Sequence, residues 1–157
     1  AAQRGSGYAF AQFINGEGGT EVLKNYRDRF QPSALNDKPQ TLLAIIVFCG
    51  ETDEEAEKLA KSGDLALLLL EKGISTDGIP TVEEALSYDY TDFDQYRIQA
   101  NRKRMVVGSP TTVKKQIEKL CDEYQTDEVM VVSFMNDIKQ KINCYRLLAE
   151  AFTIKTP

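Results

Sequence analysis

TLLAIIVF, residues 41–48, is the stretch on which the fold turns. After Thr41 it has no polar residue and no alternation, and it is partly β-branched. A strand with one wet face alternates, whereas a continuous apolar run of this length fits a strand covered on both faces, as in a parallel sheet. Downstream, Thr52 and Glu55 form a T-x-x-E capping box, and Ala56, Leu59, Ala60, Gly63, Leu67 and Leu70 trace one helical face. Glu51, Asp53, Glu54, Glu55 and Glu57 crowd that helix start, where they complement its dipole and read as a solvated end. Upstream, residues 8–14 (YAFAQFI) are short, aromatic-rich and bounded by glycines, so they read as a strand. Thr20 then caps a helix to about Phe30, which Pro32 closes.

Further along, Ser109 as N-cap and Pro110 at the first helical position start a helix buried through Val113, Ile117, Leu120 and Tyr124. EVMVVSFM, residues 128–135, repeats the continuous apolar pattern and predicts a strand over about 128–134. Asn136 or Asp137 caps a last helix that faces inward through Ile138, Ile142, Tyr145, Leu148 and Phe152. From 73 to 104 periodicity fades, apart from a second capping box at Thr81 and Glu84. A stretch of that length reads as a functional insertion or a lid. Three strands joined by helical crossovers give an α/β fold with a parallel sheet.

The chain has 157 residues, a formal charge of −5, three cysteines and no histidine. The missing histidine excludes, within this chain, a histidine-dependent nucleophile, an imidazole acid or base and a histidine-ligated metal. Three cysteines are too few for a four-thiolate zinc site, and no metal site is expected. Cys49, Cys121 and Cys144 read as reduced core thiols. The mild acidity disfavours nucleic acid and anionic membrane surfaces, and Arg102-Lys103-Arg104 reads as a solvated loop. No apolar run reaches a bilayer span, and no signal peptide is visible, so a cytoplasmic setting is expected.

In parallel α/β folds ligands sit at the carboxyl ends of strands, so the residues that follow each strand are the candidates. After the first strand come Gln12, Phe13, Asn15 and the loop Gly16-Glu17-Gly18-Gly19, which is not a Walker loop and whose Glu17 would repel phosphate. After the second come Phe48 and Cys49, the latter surrounded by acids that raise a thiol's pKa. After the third comes Ser133. No residue is assigned to catalysis.

Five segments in this order, GSGYAFAQFIN, IIVFCGETDEEAEKLA, VVGSPTTVKKQIEKL, DEVMVVSFMND and YRLLAEAF, together resemble the C-terminal half of bacterial luciferase-like flavin monooxygenases. The resemblance covers essentially the whole chain and is loosest at 73–103. It implies a partial domain over 1–157, the C-terminal half of a (β/α)8 TIM-type barrel, whose strands over 8–14, 41–48 and 128–134 are the sixth to eighth. It implies reduced FMN and O2 as co-reactants, a small-molecule substrate, and an inactive fragment that does not retain the flavin. The implied partners are the missing N-terminal barrel half and a second copy in a homo-oligomer. Relatives of this kind place histidines just after the sixth strand, where this chain has Gln12 and Phe13. The residues carried over are Gln12, Phe13, Asn15, Phe48, Cys49 and Ser133, as the lining of a flavin or substrate pocket. The rival reading is a non-catalytic α/β binding or subunit domain.

Overall fold

The computed structural model describes residues 1–14 and 16–154. The elements run β1 (Tyr8–Ala11), α1 (Gly19–Asp28), β2 (Thr41–Cys49), α2 (Asp53–Glu71), α3 (Val82–Ser87), α4 (Asp92–Arg102), β3 (Met105–Gly108), α5 (Pro110–Tyr124), β4 (Val129–Val132) and α6 (Ile138–Ala151), after a short 3-10 turn at Ala2–Arg4. The sheet is built on β2. It pairs in parallel with β1 over its first half and with β3 over its second, and β4 also pairs with it. The α/β class with parallel strands and helical crossovers is therefore as expected. Two of the expected strands are shorter than their apolar runs, β1 ending at Ala11 and β4 at Val132, while β2 extends one residue past its run to Cys49.

Two compact units divide these elements. The first comprises Ala1–Ile45 and Ile117–Val132. Its core is Phe10, Leu23, Tyr26, Leu43 and Tyr124, all buried. Gly18, at φ 76°, is the N-cap of α1, which begins at Gly19, so Thr20 lies inside the helix and does not cap it. A Cβ on Gly19 would lie 2.3 Å from the Phe10 ring and 2.6 Å from that of Tyr124. The glycine loop is therefore explained by turn and packing. Tyr26 stacks on Tyr8 at 5.5 Å, donates to the Ser6 carbonyl and accepts from the Gln40 N–H.

The second unit comprises Ile46–Gln116 and Ser133–Pro157. Thr52 accepts the Glu55 N–H at 3.2 Å, and Glu55 returns the bond to the Glu51 N–H at 2.8 Å. The capping box thus closes one residue earlier than its ordinary form. The acids of this helix start are more than solvated. Asp53 Oδ1 accepts the Ser109 N–H at 2.6 Å, and Glu51 pairs with Arg146 at 3.0 Å. The buried face of α2 is Ala56, Leu59, Ala60, Gly63, Leu65, Leu68 and Leu69, while Leu70 is exposed. The apolar run through residues 65–70 has no polar residue to show which side is wet, so Leu70 is misplaced by pattern alone. Helix α6 departs in the same way: Cys144, Leu147 and Leu148 are buried, but Ile138, Ile142 and Tyr145 are exposed.

The stretch 73–104 is ordered. Thr81 and Glu84 form the expected box for α3, and Thr91 with Asp94 makes a further one for α4. Helix α4 is held to α2 by charge more than by apolar contact. Arg102 grips Asp64 with bonds of 2.5 and 2.9 Å and reaches Glu57 at 3.2 Å. Glu71 pairs with Arg97 and Arg104, and Lys72 pairs with the buried Asp94 at 2.6 Å. Arg102 and Arg104 are therefore ion-pair partners and not a free basic loop.

Two outcomes follow from this packing. A Cβ on Gly63 would fall 2.3 Å from the Phe48 ring, so Gly63→Ala should destabilise by about 1–3 kcal/mol in urea melts, against the roughly 1 kcal/mol gain usual for Gly to Ala in a helix. The Lys72 ammonium holds the Asp94 carboxyl below its ordinary range, with the Thr91 bonds adding to this. That contribution is complete above about pH 4 and disappears as pH falls through the lowered value. Thermal melts should show Asp94→Asn less stable than the parent at neutral pH, with the difference closing in acid.

Candidate functional site

The carboxyl end of β2 is dry. Ile46, Val47 and Phe48 are fully buried and Cys49 is 1% exposed. The Phe48 ring lies against Gly63 of α2, which places it in the core of the second unit. Cys49 donates its N–H to Cys144 Sγ at 3.3 Å, and that sulfur also lies 4.0 Å from Ser133 Oγ. One thiol on α6 thus touches two of the three residues that the strand-end rule selects in this unit, Cys49 and Ser133, and Ser133 is itself fully buried. Gln12 and Phe13 belong to the first unit, where Gln12 is buried and its N–H donates to the Ala44 carbonyl at 3.0 Å. Asn15 lies outside the described residues.

Burial, then the neighbouring Cys144 thiol and the Glu51 and Glu55 carboxylates, push the Cys49 thiol up to about 12. Cys144 is raised by burial as well. Both are neutral thiols at physiological pH, and neither is an activated nucleophile. This cluster can shape and dry a site but moves no proton of its own near pH 7.

Directly after Ser133 the chain enters the wall of a cleft of about 300 Å³. Met135, Asn136 and Asp137 line one side, and Glu55, Lys58, Leu59 and Ser62 of α2 line another. Thr81, Val82 and Glu83 at the start of α3, with Gln140 of α6, complete it. The walls are tied together: the Ser62 hydroxyl donates to the Pro80 carbonyl, and Asn136 Nδ2 donates to the Ile79 carbonyl at 2.7 Å. Asp137 accepts the Lys139 N–H at 2.7 Å, which settles the cap of α6 in its favour over Asn136. A wider cleft of about 690 Å³ shares Thr81 and Asn136 and is floored by Leu65 and Leu69. Sequence reasoning reached Ser133 as a strand-end residue and Asn136 and Asp137 as caps of the following helix, not as lining. It had no signal for Ser62 or Lys58, which enter through the helix layer.

No family model matches the chain. It is 43% identical over 152 residues to the uncharacterized protein YwcH of Bacillus subtilis (strain 168), covering 97% of this chain and 46% of that protein. It is 26% identical over 147 residues to a luciferase-like monooxygenase of Escherichia coli (strain K12), covering 94% of this chain and 44% of that one. Among solved structures, apo-MsnO8 superposes with a TM-score of 0.88 at 31% identity, over 100% of this chain and 48% of that chain. The oxygenating constituent of 3,6-diketocamphane monooxygenase, solved with FMN, shares the fold with a TM-score of 0.55 at 18% identity, over 96% of this chain and 43% of that chain. The chain thus spans somewhat under half the length of the relatives it matches, their C-terminal part.

The burial of the thiols has a direct readout. Ellman's reagent should leave Cys49 and Cys144 unmodified in the folded chain and titrate all three cysteines in denaturant. Rapid native modification of Cys49 would contradict the closed strand end described above.

Proposed function

We propose that this chain, which belongs to the luciferase-like monooxygenase family, supplies the last strand ends of the barrel mouth in a flavin-dependent monooxygenase. The observation that carries the reading is positional. In a relative of this fold the site lies at the carboxyl ends of the strands, and here the residues after β4 run from the dry Cys49–Cys144–Ser133 junction straight into a cleft. The chain has no histidine and its strand-end thiols are protonated. Its own groups therefore bind, orient and exclude water, and the redox chemistry comes from the cofactor.

The side chains bear on which part of FMN they suit. Glu55, Glu83 and Asp137 face the cleft together with Lys58, a net negative lining that repels a phosphate. In the first unit, Glu17 and Glu21 flank the start of α1 with the same effect. Leu59, Met135, Ser62 and Asn136 fit the neutral ring end, offering apolar surface and hydrogen-bonding groups. This chain is accordingly assigned contacts to the flavin ring or to a small-molecule substrate beside it, and the phosphate is held elsewhere. Gln12, Phe13, Cys49 and Ser133 set the shape behind those contacts, and Phe48 does so by anchoring β2 on α2. When bound, the reduced flavin supplies the electrons that activate O2.

The test joins this chain behind the N-terminal part of the 43%-identical Bacillus subtilis relative and follows flavin fluorescence and O2 uptake with a flavin reductase. The joined protein should quench FMN and consume O2. Ser133→Leu should weaken FMN or substrate binding about tenfold or more, by crowding the junction. A joined protein that melts cooperatively yet neither binds FMN nor consumes O2 would overturn the reading.

A further inference from the structure

The wider cleft floored by Leu65 and Leu69 lies wholly within the second unit, and at about 690 Å³ it has the volume of a small-molecule site. Its floor is apolar and firm: Leu65 and Leu69 form a buried cluster with Ala85, and Tyr88 packs against it. Its charged lining is of one sign. Asp77, Glu84 and Asp89 line it, and no lysine or arginine does. Among the described residues Asp77 and Asp89 have no cationic partner, while Glu84 spends one oxygen on the Thr81 N–H at 2.7 Å. Lys72 sits over the Tyr88 ring at 5.5 Å, but Asp94 at 2.6 Å already balances its charge.

The hydrogen-bonding groups are biased the same way. Thr76 and Ser87 donate their hydroxyl protons to the Gly78 and Glu84 carbonyls, and Asn136 turns Nδ2 to the Ile79 carbonyl. A carbonyl only accepts, so this bond fixes the Asn136 amide and leaves its Oδ1 as an acceptor. Most of what these walls still offer is oxygen lone pairs. The matching ligand carries positive charge and N–H donors on an apolar body. A metal ion does not match, since among the described residues no three carboxylate or thiol groups come together to hold one. We infer that this cleft binds an organic ammonium, its head at the Asp77, Glu84 and Asp89 rim and its apolar body on Leu65 and Leu69. The site goes beyond the flavin reading, and its test needs no flavin. Because the rim carboxylates are exposed, their attraction is screened by salt and the preference falls as ionic strength rises.

The experiment titrates this chain at neutral pH and low salt with hexylammonium and phenethylammonium, and with hexanol, 2-phenylethanol and hexanoate, read by ligand-observed NMR. Each ammonium should bind about tenfold or more tightly than its alcohol, with hexanoate weakest. Added salt should weaken the ammonium ions and leave the alcohols unchanged. Asp77→Asn combined with Asp89→Asn should bring each ammonium to within about threefold of its alcohol without changing far-UV circular dichroism. Glu54→Gln, an exposed acid of α2 outside this lining, should keep the full preference. Failure of both ammonium ions to bind, or equal affinity for ammonium and alcohol, would overturn the inference. So would a preference that survives the double variant, or displacement of hexylammonium by calcium at matched ionic strength, which would make the rim a metal site.

Discussion

The requirement that β2 be covered on every side governs the rest of the structure. Its backbone is paired by β1 and β4 in its first half and by β3 in its second, and its side chains from Ile45 to Cys49 are almost wholly buried. A strand with no polar side chain after Thr41 gains nothing from water on either face, so its burial draws helices to it. The close approaches show how tightly. Gly63 gives up a side chain so that Phe48 can reach the α2 backbone, and Gly19 does so for Phe10 and Tyr124.

That dryness also decides what the strand end can do. A thiol surrounded by apolar groups and carboxylates stays protonated, so Cys49 is a spacer with a sulfur atom. Cys144 serves the junction better than an alanine would, because its sulfur accepts the Cys49 N–H that β2 has left over at its end. The polar groups enter beyond the junction, where Ser133 gives way to Met135, Asn136 and Asp137 at the cleft wall. Apolar packing sets the position of the cleft and the residues that follow Ser133 set the polarity of its wall.

Local signals in the sequence were the most legible. The box at Thr81, the Pro110 helix start and the continuous apolar strand at 41–48 each depend on neighbouring residues and stand where the pattern puts them, and the run at 128–134 gives the shorter β4. The failures lie where stability is non-local. Helix α4 has a weak apolar stripe and is held by Asp64, Glu71 and Lys72 from a different helix, so hydrophobic periodicity could not find it. Ile138 and Ile142 read as inward because they are apolar, but apolar character says that a residue wants cover and not which neighbour provides it. The candidate site divides the same way. Cys49 and Ser133 follow from strand ends, whereas Lys58 and Ser62 reach the cleft only because α2 packs beside them.

The stretch 73–104 illustrates what this difference means for function. Read as a sequence without period, it suggests a lid free to open over the strand ends. Its observed bonds argue otherwise. Asp64 is 1% exposed and bound by both arms of Arg102, so releasing α4 would strand a buried carboxylate without its partner. Asp94 is bound to Lys72 at the other end of the same helix, and the Ser62 hydroxyl ties α2 to the carbonyl of Pro80, just ahead of α3. Fixed at these points, the start of α3 forms a standing wall of the cleft, while α4 is bound to α2 outside its lining. Met135 and Thr81 face each other across that cleft, and α4 reaches it only through its bonds to α2.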